Sequence, residues 1–264
     1  MAATYVKTGG AYVSVANVYA KQSGSYRTDG KYLYKKISGA YTLIWKRVPS
    51  FGNVTLDAYA ASLKHAWYLD SASSFPDEIG TCDLSGSGSI SSVTGVAETG
   101  VYLNATAKLY NSNPGFAVNS PFTLSFWAER IGAASNYGTG FMVSKDDGTN
   151  QWGIQWSDAD QVSIQNFNNT ASPAVSVSAG WHNFVVTGDW VGDDGVLHRL
   201  FVDGTLVALL QVGQHPDTTN TDFVVGGRTE TASLWFNGNV DEIYYWDAML
   251  HSSAITALQT SGLS

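Results

Sequence analysis

Residues 181–247 carry apolar stretches separated by turn residues, and no segment between them is long enough for a helix. In Trp181–Thr187, large apolar side chains alternate with polar or small ones, which predicts a strand with one buried face, followed by a turn at Gly188-Asp189. His198–Leu210 contains Asp203-Gly204 at its centre, a pair typical of two-residue hairpins. This succession of strands and turns restricts the region to an all-β fold.

Two further segments of this region are predicted strands. Phe223–Arg228 is one, and Leu234–Trp246 contains a turn and a long closing strand. The motifs Trp-His, Val-Asp-Gly, Val-Gly-Gly-Arg and Phe-Asn-Gly-x-Val-Asp-Glu-Ile, in this order, resemble a concanavalin A-like, laminin-G-type jelly roll. Ala66–Asp70 and Phe122–Trp127 resemble the opening and first core strands of that family. The resemblance covers roughly residues 62 to 264 and implies a β-sandwich closed by a short helix, predicted at residues 252–260 from its Ser cap and apolar spacing.

A repeat marks the first fifty residues. Tyr5–Tyr12, Tyr19–Tyr26 and Tyr34–Tyr41 share the pattern Tyr-x-Lys-x-(Gly/Ser)-Gly-(Ala/Ser)-Tyr. Each copy predicts a hairpin whose glycine occupies the turn. The pattern resembles the short repeats near the ends of bacteriophage tail and tail-fibre proteins. A plain β-meander that decorates the sandwich would give the same spacing.

Charge changes sharply along the chain. Residues 1–50 hold eight Lys and Arg against Asp29 alone, a balance of 8 − 1 = +7, so the remainder carries −8 − 7 = −15. Val48–Asn53, with Pro and Gly, lies at this step and predicts a boundary between a hairpin module, residues 1–48, and a sandwich, residues 54–264. The basic module is expected to contact acidic partners, which we predict to be other virion proteins and not nucleic acid. No stretch approaches the ~18 apolar residues of a membrane helix, so no membrane partner is expected.

Catalysis has little support in the residue pattern. Glycosidases on this kind of sandwich use carboxylates arranged as Glu-x-Asp-x-x-Glu, about 5 Å apart in retaining enzymes, and this sequence lacks that motif. His182 follows a tryptophan within a predicted strand, where a half-buried structural histidine is the favoured interpretation. The five histidines show no metal-ligand spacing. The sequence therefore predicts a protein that is not an enzyme, with a glycan-active enzyme as an alternative.

Binding of carbohydrate has better support. Sugars stack their C–H faces on aromatic rings and need hydrogen bonds from acids, amides or arginine, so an aromatic residue beside such a group in a loop indicates a binding site. Six residues fit this pattern and are the predicted carbohydrate contacts: Trp156, Asp158, Asp189, Trp190, Arg228 and Trp235.

A metal site is also implied by the laminin-G resemblance. Domains of that family often hold Ca²⁺ through an aspartate at the position of Asp241, with oxygens from the opening strand, here near Asp70. Hard cations require several oxygen ligands. The alternative is that Asp241 caps a turn or pairs with Arg228.

The two modules together suggest a bacteriophage virion protein, located in the tail or a surface appendage. The sandwich is then expected to recognise a host-surface glycan or receptor, and the protein to form a homo-oligomer. A structural decoration or assembly protein of the virion, without glycan binding, is the alternative from another class.

Overall fold

A computed structural model describes residues 4–8, 11–15, 20–22, 25–27, 32–37, 40–46, 56, 58–112, 114–116, 120–134, 138–146, 151–166, 170–190, 195–212, 222–229 and 234–260, with the backbone alone at 4–46, 146, 151, 166, 170, 190, 212 and 260. The chain divides into two compact units, Met1–Ser50 and Phe51–Ser264.

Among its described residues, the first unit contains six strands that pair as three antiparallel hairpins, the arrangement predicted from the repeat. They are β1 Thr4–Thr8 with β2 Ala11–Val15, β3 Ala20–Gln22 with β4 Ser25–Arg27, and β5 Tyr32–Ile37 with β6 Ala40–Lys46.

The second unit contains sixteen strands among its described residues. They are β7 Leu63–Trp67, β8 Ser85–Ser87, β9 Ile90–Thr94, β10 Thr99–Leu103, β11 Lys108–Asn111, β12 Phe122–Arg130, β13 Thr139–Asp146, β14 Gln151–Ser157, β15 Gln161–Asn166, β16 Thr170–Ala171, β17 Val175–Ser176, β18 His182–Trp190, β19 Val196–Val202, β20 Thr205–Val212, β21 Asp222–Val225 and β22 Gly238–Trp246. A 3-10 turn at Ala60–Ser62 precedes β7, and the predicted helix, α1, runs over Ser252–Thr260.

These strands form two antiparallel sheets, as a jelly-roll sandwich requires. The first sheet has the order β20-β19-β18-β12-β22-β10-β9, with β7 also paired to β22. The second sheet has the order β16-β15-β14-β13-β21-β11-β8, with β17 also paired to β15. The all-β jelly-roll class predicted from the sequence is therefore confirmed.

Two apolar layers stabilise the sandwich. The larger lies between the sheets and includes Trp67, Phe126, Ile154 and Val225, because alternate residues of each strand point inward. The smaller covers the outer face of the first sheet, where α1 packs its apolar side, including Leu258, over β18 and β22. The second sheet is thus the one whose outer face lies away from the helix.

One predicted turn is wrong. β18 does not end before Gly188-Asp189 but continues to Trp190, which pairs with Val196 of β19. Gly188 lies inside the strand because the ring of Phe122 packs against it: a Cβ there would lie 2.1 Å from that ring. The glycine accommodates a close side chain and does not form a turn.

The turn predicted at Asp203-Gly204 is confirmed, whereas the segment before β22 has a bend at Leu234, whose φ is 73°. Asp203 and Gly204 join β19 to β20 with φ values of 49° and 73°, the left-handed conformation of a two-residue hairpin. β22 follows Asn237 as predicted and contains a bulge at Glu242, whose φ is 50°. Among the described residues, no helix is long and apolar enough to cross a membrane.

Candidate functional site

The outer face of the second sheet is partly covered by the segment that follows β21. Phe141 and Val224 point away from the core between the sheets, yet both are buried. Gly226 donates its N–H to Met142 O at 2.8 Å, and Ser144 Oγ donates to Gly227 O at 2.8 Å. Residues 226–228 therefore fold over the sheet and bring Arg228 above Phe141, with its guanidinium 5.9 Å from the ring.

Lys108 is the centre of the half-buried surface beside this segment. Its ammonium donates hydrogen bonds to Arg228 O at 3.3 Å and to Thr229 O at 3.1 Å. It also lies 5.3 Å from the ring of Tyr110 and 5.7 Å from the ring of Trp235. Both distances are within the range of a cation–π interaction. We call Lys108, Tyr110, Arg228 and Trp235 the aromatic–cationic patch.

The patch brings together two predicted contacts, Arg228 and Trp235. Trp235 reaches it because Leu234–Phe236 runs beside β13, with a bridge between Trp235 and Phe141. Gly227 supports one face of the indole, since a Cβ there would lie 3.2 Å from the ring. Sequence reasoning missed Lys108 and Tyr110, although their alternation around buried Leu109 places both on the outer face.

Of the other four predicted contacts, the structure describes the side chains of Trp156, Asp158 and Asp189, and it places these elsewhere. Trp156 is fully buried, in edge-to-face contact with Phe184. A buried ring cannot stack on a ligand, so Trp156 is removed from the candidate contacts. Asp158 is exposed, accepts the N–H of Ala134 at 2.8 Å and lies 4.0 Å from Arg130.

Asp189 lies on β18, where its carboxylate is 3.7 Å from the guanidinium of Arg199. The backbone of Trp190 ends the same strand, and its side chain lies outside the described residues. The prediction that Trp190 contacts a ligand therefore stays a prediction.

Asp241 is a buried carboxylate held by the backbone. Its Oδ2 accepts N–H groups of Val96 at 2.9 Å and Ala97 at 3.3 Å, and its Oδ1 accepts that of Glu242 at 2.9 Å. Burial raises the pKa of Asp241 to about 7, although the three hydrogen bonds lower it. The charge of Asp70 also raises it.

The predicted calcium ligands can be compared with this geometry. Asp241 and Asp70 interact electrostatically, and a divalent cation between them would relieve both the repulsion and the cost of burial. Three N–H groups already bind the oxygens of Asp241, however, so a cation would have to share them. Calcium binding by Asp241 and Asp70 therefore stays a prediction.

His182 has the structural surroundings predicted for it. Its Nδ1 is 2.6 Å from Asp203 Oδ2, and its Nε2 is 3.1 Å from Ser178 Oγ. A serine, a histidine and an aspartate in this order are also what an acyl-transfer site uses. The Nε2 atom is equally close, 3.1 Å, to the backbone oxygen of Ser178, which is the contact of a histidine that braces a loop.

The fold and these surfaces define a jelly-roll sandwich of the lectin type. A family model of the laminin G type, described as the concanavalin A-like lectin/glucanases superfamily, matches residues 100–256. This match covers more than half of the chain, so the chain belongs to that family. Among curated proteins, no sequence matches it.

Several solved structures share the fold. Domain 4 of the extracellular arabinanase AbnA from Geobacillus stearothermophilus, in complex with arabinotriose, is 16% identical with a TM-score of 0.57 over 75% of this chain and 98% of that domain. A botulinum neurotoxin type C structure is 14% identical with a TM-score of 0.60, over 79% of this chain and 53% of its own. Trypanosoma rangeli sialidase is 18% identical with a TM-score of 0.58, over 76% of this chain and 33% of its own.

Proposed function

We propose that the sandwich is a non-enzymatic domain that recognises a glycan through the aromatic–cationic patch on the second sheet. The observation that carries this proposal is the convergence of Lys108, Tyr110, Arg228 and Trp235, from two distant parts of the sequence, around one ammonium group. Each of the four residues is half-buried, so it is held in place and still reaches solvent.

The charge of the patch suggests the kind of glycan. Lys108 uses two hydrogen bonds on carbonyl oxygens, and an ammonium has three donors. With respect to the residues that the structure describes, one donor of Lys108 therefore remains for a ligand oxygen. Residues 51–264 are strongly acidic in total, and the patch is a local exception because it contains two cations, Lys108 and Arg228. Its positive charge favours a sugar that carries a carboxylate.

The ligands of two structural neighbours are consistent with this proposal. The arabinanase domain was solved with arabinotriose, and botulinum neurotoxin type C depends on interaction with two ganglioside molecules to enter cells. Another neighbour, a botulinum neurotoxin DC binding domain, was solved with rat synaptotagmin II, a protein. A protein receptor is therefore the second kind of partner that we propose for the sandwich.

A glycan array with the full chain tests the proposal. Trp235→Ala and Lys108→Ala should each weaken binding to the recognised glycan, whereas Lys64→Ala should leave it unchanged. Lys64 is a matched control because it is an exposed lysine that pairs with Asp247 on the first sheet's side, at 3.1 Å. Equal losses in Lys108→Ala and Lys64→Ala without a loss in Trp235→Ala would point to charge in general, and no loss in Trp235→Ala and Lys108→Ala would place the binding surface elsewhere.

We further propose that the protein belongs to a bacteriophage virion, in a tail or surface appendage, as a homo-oligomer. The Tyr-x-Lys repeats support this location, and their basic residues would contact other virion proteins through residues 1–48. A decoration protein without glycan binding would retain the repeats and show no signal on the array. Immunolabelling of purified particles would decide whether the protein is part of the virion.

An enzyme is the second candidate function, because His182 lies within hydrogen-bond distance of both Ser178 and Asp203. This alternative predicts that the protein releases acetyl groups from host polysaccharide and that Ser178→Ala abolishes the release. If acetate is released by the wild type and not by this variant, the non-enzymatic proposal is wrong.

A further inference from the structure

A second cluster of chemically active side chains lies far from the patch along the sequence. His65 is on β7, and Asp77 and Cys82 lie in the connection between β7 and β8. Within the part of the chain that the structure describes, these three form the one group of His, Cys, Asp or Glu side chains whose potential ligand atoms all lie within 4.8 Å of one another.

Asp77 is the fixed point of this cluster. Its side chain has no exposed surface. Its oxygens accept hydrogen bonds of 2.8 to 3.1 Å from four backbone N–H groups, those of Ala66, Ile79, Gly80 and Cys82. Burial opposes ionisation, but the bond from His65 and these backbone bonds lower the pKa of Asp77 to about 2. The carboxylate is therefore charged and immobile.

His65 and the loop are fitted closely to that carboxylate. His65 Nδ1 lies 2.6 Å from Asp77 Oδ2, and its ring stacks on Trp67 with centroids 5.3 Å apart. A Cβ at Gly80 would lie 2.3 Å from Asp77 Oδ2 and 2.7 Å from His65 Nδ1. Glycine at position 80 thus keeps the space beside both ligand atoms open.

Two of the three residues, His65 and Cys82, face a cavity. Together with Tyr245 they line a volume of about 550 Å³, which also contains the Lys64–Asp247 ion pair. Cys82 is half-buried, and its thiol lies 3.5 Å from the carbonyl oxygen of Pro114. An ion can therefore reach His65 and Cys82 from the cavity, whereas the Asp77 side chain has no exposed surface.

We propose that His65, Asp77 and Cys82 bind a thiophilic divalent cation of the Zn²⁺ class, with a fourth position open to the cavity. Nitrogen, sulfur and a carboxylate oxygen suit zinc, whereas calcium requires oxygen ligands. Tetrahedral bonds of about 2.0 to 2.3 Å place ligand atoms roughly 3.3 to 3.8 Å apart. A shift of about 1 Å therefore converts the observed cluster into a coordination site.

Metal binding displaces a proton from two of the three ligands. The thiol proton of Cys82 leaves to solvent as the metal–sulfur bond forms. The proton that His65 Nδ1 shares with Asp77 Oδ2 at 2.6 Å moves to Nε2 or to solvent, because a ring nitrogen that binds a metal carries no proton.

Titration of the metal-free full chain with Co²⁺ tests this site. A thiolate-to-cobalt charge-transfer band should grow to one cobalt per chain. The band can come only from Cys82, because the sequence contains one cysteine. Zn²⁺ should displace the cobalt and remove the band, whereas Ca²⁺ should do neither. Cys82→Ser should abolish the band, and His65→Gln should weaken binding by about tenfold or more.

His182→Gln is the matched control. This histidine is as buried as His65 and has the same 2.6 Å contact with an aspartate, but no cysteine beside it. The His182→Gln variant should bind cobalt as the wild type does.

If Cys82→Ser fails to fold, protection of the wild-type thiol replaces it, since Zn²⁺ should slow alkylation of Cys82. Cobalt binding without the band, an unchanged affinity in His65→Gln, or alkylation at the same rate with and without zinc would each overturn the proposal. None of these outcomes bears on glycan binding by Trp235 and Lys108.

Discussion

Asp241→Asn tests whether burial of one carboxyl group makes the sandwich less stable as pH rises. The pKa of Asp241 is about 7 in the folded protein against 3.8 for an ordinary aspartate. Between these values the folded state binds more protons than the unfolded state, so the free energy of unfolding falls as pH increases. The stabilising effect of the protonated form is complete below pH 3.8 and lost above the folded pKa.

The size of the effect follows from the shift. About 3 pKa units at about 1.4 kcal/mol each give about 4 kcal/mol between pH 4 and pH 8. Asparagine has nearly the same shape but does not titrate. Its amide N–H₂ group would also face backbone N–H donors of Val96 and Ala97 or of Glu242. This clash lowers stability by an amount that does not depend on pH.

Urea unfolding of both proteins, in chelator and at several pH values across this range, is the measurement. The free energy of unfolding of the wild type minus that of Asp241→Asn should fall by about 4 kcal/mol as pH rises, because other groups contribute equally to both proteins. A flat or rising difference for Asp241→Asn would refute the assignment of a raised pKa.

Calcium gives a second arm of the same experiment. If Asp241 and Asp70 bind Ca²⁺, an excess of calcium should raise the melting temperature of the wild type and not that of Asp241→Asn. It should also remove the pH dependence above, because the cation keeps the carboxylate ionised. Identical melting with calcium and with chelator would exclude the site.

Three other outcomes are expected. Gly188→Ala should destabilise the fold by about 1 to 3 kcal/mol in urea unfolding, because its Cβ would meet the ring of Phe122. Trp190→Ala should change stability by less than about 1 kcal/mol and weaken attachment to host cells or envelope glycan; a loss of several kcal/mol would instead show a core side chain. Residues 54–264 expressed alone should melt cooperatively, whereas residues 1–48 should require a partner; a cooperative melt of the short piece as a monomer would contradict this division.

Much of the fold could be predicted from the sequence because its signals are local. Alternating apolar and polar side chains at the start of β12 predict a strand, and the Asp203-Gly204 pair predicts a turn, each within a few residues. The Gly188 error has the same origin: a glycine that makes a turn and one that makes room for a ring look alike in sequence. Only the position of Phe122, 66 residues earlier, separates the two cases.

The candidate sites could not be predicted to the same extent, because they depend on which strands are neighbours. Lys108 and Trp235 meet since β11 pairs with β21, a long-range pairing that periodicity does not specify. Trp156 has the polar neighbours Gln155 and Ser157 but is fully buried, whereas Trp235 has the apolar neighbours Leu234 and Phe236 but is only half-buried. Asp77 lies in a Ser- and Gly-rich connection, where nothing local indicates that its oxygens face His65.

The central position of β22 has a consequence for the order in which the protein can fold. This strand pairs with β7, β10 and β12, all of which are synthesised before it. Ile243 emerges 176 residues after its partner Trp67, a delay of roughly 10 to 35 s at ordinary translation rates. During that interval the strand edges that β22 will cover are exposed on the ribosome-bound chain, so the first sheet can be completed only after β22 has been synthesised.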